Sequence, residues 1–285
     1  MKHFVIITNE RKDGGLRLTN KISAYIGKKG GTATTIVSVD EQGSHSVTTD
    51  MLPSGTEGIL VIGGDGTLIR AARDTVSAGI PLIGINLGKL GYLCELEEST
   101  LESAIDELFE NHYVIEERMM IGGYAVQGEK WTREVFALND IVIHRSGAMQ
   151  LIHLKVSVNG EYLCSFRADG IILATPTGST GYSMSAGGPI VDPKAKLLLM
   201  TPINPHTLNS RSIVISSKDE VTIELSQRRS EKDEQAEVSF DGDHSIRLNV
   251  GDRIVIHRAQ VSAKILKLSK ISFLEILRKK MQTYT

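Results

Sequence analysis

Cysteine is scarce in this chain: Cys94 and Cys164 are the only two in 285 residues, far apart and without CxxC spacing. That pattern argues against a disulfide framework or a zinc site, and the simplest expectation is two buried thiols in a reducing cytoplasm. Long apolar runs are also missing. No stretch approaches the ~20 residues that span a bilayer, and the opening run Phe4-Val5-Ile6-Ile7 is too short for a signal-peptide core, so no membrane partner is expected. Charge of one sign is absent too. A formal net charge of −2 gives no global attraction to nucleic acid, although a phosphate site would still need a local basic patch. Two nucleotide signatures are lacking: the dinucleotide fingerprint GxGxxG, and the Gly-Lys-Ser/Thr that completes a P-loop. A hydride-transferring dehydrogenase and a P-loop kinase both lose ground. There is no internal repeat and no low-complexity linker.

What is present is enough apolar sequence, 41% of residues, to fill the cores of one or two domains. The first third alternates strand and helix patterns. Strands are expected over His3 to Thr8, Thr34 to Val39, Gly58 to Gly63 and Pro81 to Asn86. Helices are expected over Leu16 to Lys28, Leu68 to Ala78 and Thr100 to Asn111. Gly58 to Gly63 is apolar on both faces, as a strand covered by helices on both sides must be. Repeated βα units imply a parallel, doubly wound sheet. Near residue 118 the texture changes to short β-type runs: 121–127, 134–144, 153–158, 162–167, 170–175, 211–216, 220–226, 236–240 and 253–267. These predict an antiparallel β domain, a sandwich or closed sheet, with Asn159-Gly160 as a primed hairpin turn. The charged run Gln227 to Glu234 is expected to be a solvated hairpin loop. Ser272 to Met281 closes the chain as an amphipathic helix whose apolar face, Phe273, Leu274, Leu277 and Met281, must be covered. The expected divisions are 1–118, 119–271 and 272–285.

Three segments carry chemistry. Gly63-Gly64-Asp65-Gly66-Thr67 lies directly between a buried strand and a helix. Its glycines allow a tight turn and close approach, and the helix start offers N–H groups to an anion. Asp65 in such a turn is either a turn and cap residue or a general base or metal ligand. The second segment, Asp169 to Pro189, runs from an apolar strand into a loop dense in Gly, Ser and Thr, with Tyr182 available to stack on a base. The bland alternative, a glycine-rich turn, accounts for Gly and Pro but not for the hydroxyls between Thr175 and Ser183. The third, Leu138-Asn139-Asp140, pairs an amide with a carboxylate, a set that can engage ribose hydroxyls or simply precede a strand.

Together, in this order and spacing, these segments resemble the NAD kinase family: its GGDGT loop, its Asn-Glu pair, and its DGL-type strand leading into TPTGSTAY and SAGGP. Pro205 to Arg211 is similar to the family's PHSLNSR segment, Leu87 to Leu93 to its LGxLGFL loop, and Phe240 to Asp243 to its DGQ turn. Asp140 stands where Glu is usual, Gly181 where Ala is usual, Tyr92 where Phe is usual and Asp243 where Gln is usual. The resemblance implies a Rossmann-like N-terminal α/β domain, a C-terminal β domain with substrate in the cleft between them, and a final helix packed on the first domain. It implies a homodimer or homotetramer. It also implies that Asp65 takes the proton from the adenosine ribose 2′-hydroxyl of NAD. Gly64, Gly66 and Thr67 would cradle phosphates, Asn139 and Asp140 would hold ribose hydroxyls, and Arg167 would face a substrate phosphate. Asp169, Thr177, Thr180, Gly181, Tyr182, Ser183, Met184 and Ser185 would bind the rest of the dinucleotide, and His206 falls in the same nucleotide-binding set. The donor is expected to be ATP with Mg²⁺, or polyphosphate. Two alternatives remain: a lipid or diacylglycerol-type kinase sharing GGDGT, and a non-catalytic NADP sensor.

Overall fold

The computed structural model describes residues 1–38, 47–88, 91–147, 151–207, 210–226 and 234–282. They fall into two compact units, Met1–Arg118 with Ser262–Thr285, and Met119–Val261.

The first unit runs β1 (His3–Asn9), α1 (Arg17–Lys28), β2 (Thr32–Ser38), β3 (Gly58–Gly63), α2 (Asp65–Thr75), β4 (Leu82–Asn86), β5 (Leu96–Glu97) and α3 (Leu101–Phe109). The strands are parallel in the order β2-β1-β3-β4, with β5 against the far end of β4. Alternation along β4 shows why helices cover both faces. Ile83 and Ile85 join the core made by Leu18, Ile22 and Ile26 of α1 and Leu101, Ile105 and Leu108 of α3. Gly84, between them, faces the other way, and a Cβ there would touch Leu68 of α2 at 3.0 Å. The sheet is therefore doubly wound. Helix α1 is fixed at its start by Asp13, whose carboxylate accepts the Leu18 and Thr19 N–H groups at 2.9 and 2.8 Å. Helix α2 begins earlier than its apolar pattern suggests, at Asp65 rather than Leu68. The extended Gly64 (φ −121°) supplies the carbonyl that accepts the Thr67 and Leu68 N–H groups.

The second unit is antiparallel. Its elements are β6 (Val114–Gln127), whose start lies in the first unit, β7 (Lys130–Trp131), β8 (Val135–Ala137), β9 (Asp140–Arg145), β10 (Ile152–Val158), β11 (Glu161–Ala168), β12 (Gly170–Ala174), α4 (Tyr182–Ser185), β13 (Leu197–Ile203), β14 (Ile213–Ser216), β15 (Val221–Leu225), β16 (Gln235–Phe240), β17 (Asp243–Asn249) and β18 (Arg253–Lys267). One sheet runs β14-β13-β12-β9-β16-β17. The opposing strands β11-β10-β15-β18, with β6 beside β18, face it. Inward residues of both layers, among them Ile141, Ile171, Leu173 and Val238 against Leu154, Val156, Ile223 and Ile254, form one core. That is a sandwich. The β10–β11 turn has φ of +51° at Asn159 and +81° at Gly160, the primed geometry its Asn-Gly pair favours. The outer side of β12, Ile172 and Ala174, is covered by Ala186 and Val191, so every residue of this strand is buried.

Three expectations are corrected. The chain re-enters the first unit at Ser262 rather than residue 272, since Ile265 of β18 pairs with Leu82 of β4. The closing helix, α5 (Phe273–Gln282), buries no residue fully; Leu274 is 68% and Met281 63% exposed. Phe273 and Leu277 are half-buried, so the apolar face is covered in part. Polar contacts add to this, with the Glu95 carboxylate accepting the Leu268 and Ser269 N–H groups just before the helix and Lys280 Nζ 4.9 Å from the centre of the Tyr92 ring. The run 227–233 lies outside the described residues, but Glu234 is not solvated. It is buried and paired with His153 at 3.2 Å.

Candidate active site

On the first unit the candidate residues cluster where β3 runs into α2. Gly64 and Gly66 stand on the open side of the turn, where an added Cβ would meet nothing within 4 Å. The opening N–H groups of α2 lack intrahelical acceptors, which makes this end of the helix suited to an anion. Thr67 is turned inward, buried over Gly63, and its N–H donates to Gly64. A cation absent from the sequence-level site stands beside it: Lys12 Nζ lies 3.5 Å from Thr67 Oγ1. Its loop is shaped by Asn9, whose carbonyl accepts the Lys12 and Asp13 N–H groups at 2.9 Å each. This is the local positive charge that an anion site needs in a chain of near-neutral net charge.

Asp65 has a structural task as well. Oδ2 accepts the Tyr92 N–H at 2.6 Å, and Oδ1 accepts those of Leu93 at 3.2 Å and Cys94 at 2.9 Å. Gly91 must be glycine, since a Cβ there would overlap the Asp65 carboxylate. The LGxLGFL-like segment is thus the partner that orients Asp65; its Lys89 and Leu90 lie outside the described residues. A carboxylate offers about four lone-pair sites, so three bonds leave room for one more proton or hydroxyl. Burial, followed by the neighbouring Asp65 charge, pushes the Cys94 thiol up, which makes it unreactive; Cys164 is half-buried.

On the second unit, Leu138 and Asn139 interrupt what reads as one strand, separating β8 from β9. Thr175 grips this break, its Oγ1 donating to Leu138 O at 2.6 Å and its N–H to Asn139 O at 2.8 Å. Gly178 packs on the Asn139 carbonyl so closely that a Cβ would overlap it. Asn139 and Asp140 converge on Gly181: a Cβ there would stand 3.4 Å from Asn139 Nδ2 and 3.9 Å from Asp140 Oδ2. Asn139 Oδ1 is buried without a partner. Asp140 is 5% exposed, and burial, then the nearby Asp241 charge, push its carboxyl up to about 7.

The hydroxyls of the following loop have mostly internal roles, which corrects the inference drawn from their density. Ser179 Oγ donates to Pro176 O at 2.7 Å and accepts the Val191 N–H at 2.9 Å; Thr180 Oγ1 reaches Thr177 O at 3.3 Å; Ser183 Oγ lies 3.1 Å from Thr201 Oγ1. Thr177 and Ser183 are buried, whereas Tyr182, Met184 and Ser185 of α4 are exposed. The loop is helical rather than a β turn, with a 3₁₀ turn at Thr177–Thr180 leading into α4. Asp169 binds Asn204 Nδ2 at 3.0 Å and Arg145 Nε at 2.8 Å, and these partners hold its carboxyl below the usual carboxylate range. Arg167 is exposed on β11, and its carbonyl accepts the His206 N–H at 2.7 Å, which places these two candidates side by side. Leu208 and Asn209 of the PHSLNSR-like segment lie outside the described residues.

Comparison with known proteins agrees with these motifs. Residues 4–113 match the ATP-NAD kinase N-terminal domain and residues 138–268 the ATP-NAD kinase C-terminal domain. The NAD kinase of Agathobacter rectalis is 56% identical over 286 residues, covering 100% of both chains. The NAD kinase of Lachnospira eligens is 42% identical over 99% of this chain and 100% of its own. The chain belongs to the NAD kinase family. Two solved structures share its fold. Yeast NADH kinase complexed with NADH has a TM-score of 0.87 at 22% identity, over 99% of this chain and 88% of that one. An Archaeoglobus fulgidus NAD kinase in complex with ATP has a TM-score of 0.76 at 23% identity, over 98% of each.

Against that family membership, Lys12 escaped the motif reading, since it sits in a polar turn with no motif of its own. Asp241 lies in the segment Phe240 to Asp243 that resembles the family's DGQ turn, but was given no role there. Both reach the candidate site through contacts 55 or more residues away in sequence, and a local pattern does not report such contacts.

Proposed function

We propose that the chain transfers the γ-phosphoryl group of ATP to the 2′-hydroxyl of the adenosine ribose of NAD, producing NADP. The observation that carries this reading is the convergence of Asn139 and Asp140 on Gly181 within the Thr175 to Ser185 loop. An amide donor, a carboxyl and an unpartnered amide oxygen form a set matched to a vicinal diol. A lipid headgroup gives no reason for that set, and the family's relatives are named for the nucleotide reaction.

In this reading Asp65 takes the ribose proton through its remaining acceptor site, and the N–H donors of Tyr92 to Cys94 keep the carboxylate aimed. Gly64, Gly66 and the start of α2 receive phosphate oxygens, with Lys12 supplying charge. Arg167 and His206 serve a further phosphate, and exposed Tyr182 packs against a base. A divalent cation, Mg²⁺ by family resemblance, neutralises phosphate charge. Among the described residues no three His, Cys, Asp or Glu gather as a cage. A cation in this role would be held by nucleotide phosphates and one or two carboxylates, of which Asp65 is a candidate.

Cytoplasmic residence and assembly as a homodimer or homotetramer belong to the same reading. Among the described residues no helix is long and apolar enough to cross a membrane. Exposed Tyr162 and Val214 on the outer strands β11 and β14 are apolar surface that an assembly would cover. The discriminating experiment offers ATP with NAD, NADH or diacylglycerol in turn, then replaces ATP by polyphosphate. NADP formation supports the proposal. Phosphorylation of diacylglycerol but not of NAD would replace it with the lipid-kinase reading.

A further inference from the structure

The hairpin turn between β16 and β17 does more than reverse the chain. Asp241 and Gly242 have φ of +53° and +73°, a primed pair that Asp-Gly adopts readily. The turn itself requires no carboxylate, since Asn-Gly would serve equally. Yet the Asp241 side chain reaches across to the break between β8 and β9 and takes the N–H groups of three consecutive residues. Oδ2 accepts from Leu138 at 2.8 Å, and Oδ1 accepts from Asn139 at 2.7 Å and Asp140 at 3.1 Å. The Asp241 N–H donates in return to Asp140 O at 3.0 Å.

On its other side the same segment is bonded to Thr175 and packed against Gly178. Leu138 and Asn139, which lie between β8 and β9, are thus clamped between a turn and the nucleotide loop, and Asp140 starts β9 opposite Ala174 of β12. This arrangement has an electrostatic cost, because it sets a second carboxylate near the buried Asp140. A neutral Asn could not provide it, having one side-chain oxygen where three donors converge.

We propose that Asp241 is a positioning residue for nucleotide binding: by fixing the backbone of Leu138 to Asp140 it aims Asn139 and Asp140 at the site beside Gly181. The proposal rests on the NAD kinase reading above and adds to it a residue that touches no substrate. The unpartnered Asn139 Oδ1 supports it, since a buried acceptor held without a partner is strain that a bound ligand relieves.

The test is a double-mutant cycle on the full chain with Asp241→Asn and Asn139→Ala, reading the Kd for NAD by calorimetry and the KM for ATP. Asp241→Asn leaves at least one backbone N–H facing an amide group, a cost that translates to about a tenfold rise in Kd for NAD. The KM for ATP should stay within about twofold. In the Asn139→Ala background the same change should add clearly less than tenfold, because of the two side chains that Asp241 aims only Asp140 is left. A full tenfold addition in that background, or parental NAD affinity in a folded Asp241→Asn protein, overturns the proposal. If the Asn variant does not fold, Asp241→Glu decides, since it keeps both acceptors one methylene further out. Weakened NAD binding with a parental KM for ATP supports the role, and parental values for both overturn it. NADP formation by the parent is measured alongside. Its absence would count against the proposed function, whereas an active parent with an indifferent Asp241→Asn variant removes only the positioning role.

Discussion

Asp65→Asn separates the two tasks that fall on one side chain. With the amide oxygen in the Oδ1 position, Asn keeps the Leu93 and Cys94 N–H bonds but turns an NH₂ group toward the Tyr92 N–H, where Oδ2 now accepts at 2.6 Å. One bond is lost and two donors face each other, a cost of about 1–3 kcal/mol. For a protein of this size each kcal/mol lowers Tm by about 2–4 °C, so the variant should melt roughly 2–12 °C below the parent and remain folded at 25 °C. If Asp65 is also the base, kcat should fall by about 10²–10⁴, far more than any loss of folded protein explains. Both quantities are read on the same preparation, by thermal melt and by NADP formation at saturating ATP and NAD. A lowered Tm with near-parental kcat would refute the base and leave Asp65 as an anchor for the Tyr92 to Cys94 turn. Rescue of kcat by high Mg²⁺ would move it from base to metal ligand.

Two further outcomes follow from buried carboxylates. Asp140 is held protonated up to about pH 7 against an ordinary value of 3.8, so the folded chain binds this proton more tightly than the unfolded chain. Stability should therefore decline as pH rises from about 4 to about 7. Asp140→Asn, which cannot ionise, should gain in Tm over the parent between pH 5 and pH 8, with the difference vanishing near pH 4; a difference independent of pH would contradict the assignment. Glu95 pairs with Lys267 at 3.4 Å, both side chains largely buried, and accepts the Leu268 and Ser269 N–H groups. Glu95→Ala should cost about 3–5 kcal/mol by stranding a buried cation, more than deletion of 272–285, whose helix buries no residue fully. A truncated chain that unfolds at lower denaturant than Glu95→Ala would reverse that ranking.

Much of the architecture was legible because it obeys short periods. The all-apolar Gly58 to Gly63 run became a strand covered on both faces, and Asn159-Gly160 became a primed turn. The candidate residues were legible as motifs, but their tasks were not. The hydroxyls of Thr175, Ser179 and Ser183 look like ligand groups in sequence, yet in space they pin the loop to Leu138, Val191 and Thr201. Asp65 reads as a turn residue or a general base, and neither reading reveals that its oxygens also serve a segment 27–29 residues later. The closing helix has a clear apolar stripe, and periodicity alone could not reveal that only part of it is covered. Each of these misses depends on which distant backbone group comes within hydrogen-bonding reach, a property of tertiary packing rather than of local pattern.

The most direct measurement of the central claim is the position of the transferred phosphate. The full chain is incubated with NAD and γ-labelled ATP, and the labelled dinucleotide is isolated and offered to an NADP-specific dehydrogenase, with ³¹P–¹H correlation locating the ester. One labelled product is expected, esterified at the adenosine 2′-oxygen and reduced by that dehydrogenase. Label at the 3′-oxygen or on the nicotinamide ribose, or label that stays in ATP and inorganic phosphate while the NAD is recovered unchanged, would contradict it.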